Sequence, residues 1–135
     1  MKKHIQIALI TLLIALFGVG FGLWIAFNRV EARTRARGEV LAIKYAIEGY
    51  YKENKEPLDP AEVFKILSGH NPKHVTYLVT NSNPRLTQGK YLDPWGEPYR
   101  FDLTDRDHPI VISFGSDGRR SPDDITSNWA NKTNQ

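Results

Sequence analysis

From Ile5 to Phe27 the chain runs 23 residues without a charged side chain. A helix rises about 1.5 Å per residue, so this run crosses a hydrocarbon core of roughly 30 Å. Such a segment either stays in lipid or is cut away. A secretion signal has a shorter apolar region, about 7–15 residues, and ends in a small-x-small cleavage site. This run is longer, and no convincing Ala-x-Ala follows it. The sequence therefore predicts a retained single-pass anchor over residues 1–28. Lys2, Lys3 and His4 precede the run; Asn28 and Arg29 close it. Gln6 and Thr11 are its only polar side chains. Gly18, Gly20 and Gly22 make a small-residue stripe of the kind that lets membrane helices approach closely. Glycine is also simply common in such helices.

About 108 residues follow Phe27, enough for one small domain over 29–135 and not for two. With Lys2 and Lys3 set aside, 16 basic side chains face 15 acidic ones. That balance argues against a nucleic-acid surface. There is no cysteine, which excludes disulfides, thiol chemistry and zinc-thiolate sites. Arg29, Arg33, Arg35 and Arg37 follow the apolar run, against two lysines before it. Counted alone, those charges favour a cytoplasmic C-terminal domain. The arginines read as a solvated helix face or a contact with lipid headgroups.

The helix is expected to continue beyond the apolar run. From Arg29 to Asn54 there is no proline, and strong helix formers dominate. Val40, Ile43, Ile47 and Tyr50 recur at helical spacing and give one apolar face. Glu48 and Lys52 are placed to pair at i, i+4. Pro57 and Pro60 mark the end. One helix from Ile5 to Asn54 would be about 75 Å long. Asp59-Pro60-Ala61-Glu62 reads as the start of a short second helix, with Asp59 as cap and Val63, Phe64, Ile66 and Leu67 as its apolar side. Val75 to Thr80 is rich in strand formers, and Asn81 to Lys90 reads as a polar loop. Tyr99 to Leu103 alternates like a half-buried strand, Asp105 to Pro109 turns, and Ile110 to Phe114 returns, so these predict an antiparallel hairpin. The Val75 run is a candidate third strand. The tail beyond Trp129 is polar and is expected to be disordered.

Two motifs could carry chemistry. Ser113 to Ile125, SFGSDGRRSPDDI, brings Asp117, Asp123 and Asp124 within eight residues, with Gly115 and Gly118 at its corners. Calcium takes six to eight hard oxygens in a flexible cage, and such a loop can supply them. The other reading is a solvated acidic turn answered by Arg119 and Arg120. The spacing is not that of an EF-hand. Tyr91 to Phe101, YLDPWGEPYRF, holds Asp93-Pro94-Trp95-Gly96, a tight turn with Pro presetting its second position. Trp95 and Tyr99 read as aromatics that hold this loop against the hairpin; an aromatic ligand site is the sharper alternative. Enzymatic signals are weak. His70 and His74 have H-x3-H spacing, but Pro72 breaks the helix that would align them. Asp107-His108 has no nucleophile in a G-x-S-x-G setting. The chain reads as no enzyme, with no catalytic residue.

The long apolar helix, its continuation through AIEGYYKEN, then LDPWGEPYRF, then SFGSDGRRSPDDI and Trp129, together resemble the major pseudopilin of type II secretion systems. The similarity runs from about Asn28 to Trp129. The resemblance implies an α+β, pilin-like fold: a long N-terminal transmembrane and amphipathic helix on a small antiparallel sheet, with a C-terminal metal-binding loop. It implies a structural subunit of a short filament, assisting protein export. The partners it implies are further copies through the N-terminal helices, other pseudopilins and an inner-membrane secretion platform. It implies structural Ca2+ in the last loop, held by Asp117, Asp123 and Asp124 with backbone oxygens near Phe114 and Ser121. It places the N-terminus in the cytoplasm and the domain in the periplasm of a bacterial inner membrane, against the arginine count. The start of the sequence departs from the family. Members carry a short basic leader ending in Gly, cut before a Phe, with a Glu a few residues further on. Here Met1 aligns near the mature start, and Gln6 stands roughly where that Glu would be. An upstream-encoded leader, a divergent subunit, and a tethered domain that does not polymerise are the three readings. A monomeric, membrane-tethered periplasmic binding module of the same fold is the alternative function.

Overall fold

The computed structural model describes residues 2–79, 86, 87 and 89–128. Helix α1 runs Lys2–Glu53 without interruption, and α2 is Val63–Leu67. The strands are β1 Leu86–Thr87, β2 Lys90–Tyr91, β3 Arg100–Asp102, β4 Ile110–Ser113 and β5 Ile125–Thr126. Two compact units divide the chain, one ending at Ala32 and one starting at Arg33.

The first unit is helix alone, and it is long and apolar enough to cross a membrane. Its described apolar side chains are exposed, with Ile25 and Ala32 half-covered. Phe17 is 78% and Phe27 69% accessible. The rings of Phe17, Phe21 and Trp24 stack on one another at 6.5 and 5.9 Å. Thr11 donates its hydroxyl to the Ile7 carbonyl at 2.9 Å. That internal bond meets the polar group's need without water, as an apolar surrounding requires. Apart from the adjoining residues and the helix's own backbone, no atom lies within 4 Å of where a Cβ would stand at Gly18, Gly20 or Gly22. Nothing described in this chain fills the small-residue stripe.

The second unit is α+β, with a three-stranded antiparallel sheet and one side of α1 in a common core. Val40, Ile43, Ile47 and Tyr50 are at most 2% accessible, as the helical spacing predicted, and Ala36 extends the stripe by one turn. They share that core with Val63, Phe64, Leu67, Tyr99, Val111 and Ile125. Each large side chain buried this way contributes roughly 1.5–3 kcal/mol. Glu48 pairs with Lys44 at 3.7 Å, one turn earlier than the Lys52 pairing anticipated.

Helix α1 stops at Glu53, ahead of Pro57. Its last carbonyls find partners. Asn54 donates its side-chain amide to Tyr50 O at 3.0 Å, and Lys73 donates to Glu53 O at 2.6 Å. The Arg106 guanidinium donates to Asn54 O and Glu56 O at 3.2 and 3.1 Å, and lies 4.6 Å from the Tyr51 ring centre. Cations at a helix C-terminus also meet its dipole favourably. Asp59 caps a turn rather than α2 itself: its Oδ1 accepts from Ala61 N at 2.8 Å, and Val63 opens the helix.

The expected hairpin is present, with Arg100 opposite Ile112, Phe101 opposite Val111 and Asp102 opposite Ile110. The third strand differs from expectation. Val75 to Val79 is not a strand. The buried Asn71 side chain engages its first residue, donating to Ile66 O and Val75 O at 2.9 and 2.7 Å and accepting from Val75 N, and Leu67 O accepts from Tyr77 N and Leu78 N. An asparagine that engages the backbone this way replaces ladder bonds. Strand β5 takes the third place, pairing antiparallel with β4. The loop read over Asn81 to Lys90 contains part of a small hairpin, β1 with β2. Residues 80–85 and Trp129 with the tail lie outside the described residues.

Candidate functional site

Strand β4 alternates, so Val111 and Ser113 face the core while Ile110 and Ile112 are half-covered. Ser113 thus carries a hydroxyl into a fully buried position. Its partner comes from the other motif. Ser113 Oγ donates to Asp93 Oδ2 at 2.5 Å, and Asp93 is likewise wholly buried. Asp93 Oδ1 accepts from Trp95 N and Glu97 N at 3.0 and 2.9 Å. Its backbone closes the turn: Gly96 N donates to Asp93 O at 3.0 Å, and Asp93 N to Glu97 O at 2.7 Å. The turn read from Asp-Pro-Trp-Gly is therefore real. Gly96 sits at φ 92, where a side chain would be strained. Tyr99 is in the core and Trp95 packs half-buried against it, as anticipated. Ser113 Oγ also accepts from Gly115 N at 3.2 Å. A single buried carboxyl thus ties the Trp95 turn to the start of the last loop.

That loop opens with a 3-10 turn, Gly115–Asp117, and Gly118 follows in the left-handed region at φ 62. Glu97 reaches across from the Trp95 turn: a methyl on Gly118 would lie 3.3 Å from Glu97 Oε1. The three aspartates are placed individually. Asp117 is exposed, and its Oδ1 accepts from Arg119 N at 3.1 Å. Asp123 is exposed, its side chain accepts from the Ser121 hydroxyl, and its carbonyl accepts from Arg33 at 3.3 Å. Asp124 is half-buried, and its Oδ1 accepts from Ser121 N and Oγ at 3.0 and 3.3 Å. The Ser121 carbonyl accepts from Asp124 N at 3.2 Å. Asp123 and Asp124 therefore meet at Ser121, while Asp117 turns to its own loop. Among the described residues, no three His, Cys, Asp or Glu side chains gather as a ligand set. The donors are of the right kind for calcium, but as placed they do not converge on one point.

The histidines stand apart from this region. His70 and His74 are exposed, and His74 has φ 53. His108 is exposed, with Nδ1 3.0 Å from Asp105 Oδ2 in the β3–β4 turn. That contact, first, and the Asp107 N–H hold the Asp105 carboxyl below its usual value. Asp102 is lowered chiefly by the Thr104 hydroxyl. On α1, burial raises Tyr50, and Glu56 adds to the shift.

Asp93, Ser113, Glu97 and Arg106 carry contacts that the sequence reading did not assign. Asp93 had a signal, its place ahead of Pro94 and Gly96, but its bond to Ser113 spans 20 residues and leaves no local trace. No family model, curated protein or solved structure matches the chain.

Proposed function

We propose that this chain is a membrane-anchored structural subunit, resembling a pseudopilin, that assembles through its N-terminal helices into a filament assisting protein export. The supporting observation is one uninterrupted helix under two burial regimes. Over its first unit nearly all the described apolar side chains are exposed, as lipid or neighbouring helices would accept. From Ala36 onward one stripe of the same helix is the core of an α+β head. A monomeric anchor needs only the apolar length. Gly18 and Gly22, one turn apart on the same side of the helix, add a place for a neighbour's helix. In this reading the N-terminus is cytoplasmic, the head is periplasmic, and the last loop takes calcium as a staple.

The test uses the absence of cysteine, which leaves a clean background. Leu13→Cys together with Phe21→Cys, oxidised in membranes, places two reactive heights on each helix. A filament yields a ladder of cross-linked species. A collection limited to monomers and random dimers would reject assembly and leave the tethered binding module.

A further inference from the structure

Helix α1 leaves its apolar run at Phe27, and four arginines follow within ten residues: Arg29, Arg33, Arg35 and Arg37. All four are exposed. Their surroundings on the helix differ. Arg35 stands four residues from Glu31 and four from Glu39, the spacing at which side chains meet. Arg29 and Arg33 are one turn apart on one side, with no acidic residue three or four positions from either. Like charges so placed weaken a helix, yet α1 continues through them. Arg33 donates to the Asp123 carbonyl at 3.3 Å, a neutral acceptor that leaves its charge in place.

Height along the helix narrows what can answer that charge. At about 1.5 Å per residue, Arg29 stands about 3 Å and Arg33 about 9 Å beyond Phe27, and Arg37 about 15 Å beyond. The headgroup layer is roughly 5–8 Å deep on each side of the hydrocarbon, and arginine stems reach back towards it. Trp24 and Phe27, 60% and 69% accessible, put exposed rings at this same end, where such rings mark a membrane interface.

We propose that Arg29 and Arg33 bind the phosphate of an anionic lipid. A guanidinium meets phosphate oxygens with two parallel N–H donors. A lipid with no headgroup cation is preferred over a zwitterionic one, whose ammonium offsets the phosphate charge. The inference rests on the membrane anchoring proposed above, and not on assembly or on which leaflet the arginines meet.

The test reconstitutes the full chain in phosphatidylcholine vesicles. Electron spin resonance then reads how much chain-labelled phosphatidylglycerol or phosphatidylcholine the protein immobilises. A preference for phosphatidylglycerol of about fivefold or more is expected. Arg29→Gln with Arg33→Gln should remove most of it, and Arg29→Lys with Arg33→Lys, which keeps the charge, should retain most of it. Arg35→Gln with Arg37→Gln removes as much charge and should change the preference by less than about twofold. Sodium phosphate should lower it no more than sodium chloride of equal ionic strength; a larger drop would assign the pair to a soluble anion and overturn the lipid. In a chain that floats with the vesicles, three other results would overturn the site and spare the anchor. They are no preference, an equal loss from the Arg35 and Arg37 pair, or a loss that follows Lys2→Gln with Lys3→Gln instead. A chain that fails to float would overturn both.

Discussion

Two aspartate-bearing loops meet at the end of β4 and hold their carboxyl groups by different means. Asp93 is wholly buried and draws three donors from two segments: Trp95 N, Glu97 N and the Ser113 hydroxyl. Asp117 and Asp123 are exposed and Asp124 half-buried, and the bonds that place their carboxyls come from within three residues. The difference matters because a buried donor left unpaired costs its full desolvation, while an exposed one turns to water. Asp93 is fixed by the fold around it. The last loop keeps carboxyl groups whose present partners are easily exchanged, as a cation-binding loop would need.

The largest effect is therefore expected at Asp93. Asp93→Ala strands the Ser113 hydroxyl in the core and leaves two part-buried turn N–H groups unpaired, at a cost of about 2–4 kcal/mol. Urea unfolding of the full chain in micelles, followed by near-ultraviolet circular dichroism, measures it. A loss below about 1 kcal/mol, the size expected of an exposed acid, would erase the distinction between the two loops.

Calcium probes the other side. If the last loop takes the cation, calcium at a hundredfold its dissociation constant adds about 2.7 kcal/mol. Melting of the full chain with calcium and with chelator reads this directly. The calcium increment should disappear in Asp117→Ala and in Asp124→Ala, whereas Asp93→Ala lowers both curves together. Superimposable melts for the unmodified chain would remove the metal and leave the loop held by Ser121 and its own backbone.

What could be read in advance follows the range of the forces involved. The α1 stripe and the β3–β4 hairpin were legible because periods of 3.6 and 2 are local properties. The turn at Asp93 was legible because Pro94 fixes its own φ and Gly96 admits the positive φ that the turn needs. The failures are long-range choices. Val75 to Val79 has strand-forming residues, but Asn71 takes both backbone groups of Val75, and Leu67 O accepts from Tyr77 N and Leu78 N. Strand β5 is two residues long, and its ladder position is set by β4 rather than by its own composition. The clustering of Asp117, Asp123 and Asp124 in sequence was plain, yet spacing alone could not say where each carboxyl points. A cleft lined by Phe64, Tyr91 and Phe101 was invisible, since its walls come from segments that span Pro60 to Phe101.

The smallest effect belongs to two exposed carboxyls outside both loops, in the β3–β4 turn. Thr104 lowers Asp102, and His108 together with the Asp107 N–H lowers Asp105. A depressed carboxyl binds its proton less readily in the folded chain than in the unfolded one. Its stabilising contribution is thus complete above the unfolded value, about pH 4, and is lost as pH falls through the lower folded value. Stability should accordingly decline on the acid side below about pH 4. Asp102→Asn with Asp105→Asn should flatten part of that decline while hardly changing stability at neutral pH, because both groups are exposed. An acid limb unchanged by the pair would assign the decline to other carboxyls. The same variant with calcium added then separates the turn from the last loop: a calcium increment carried by the last loop would be kept in full, and the turn's contribution would not move.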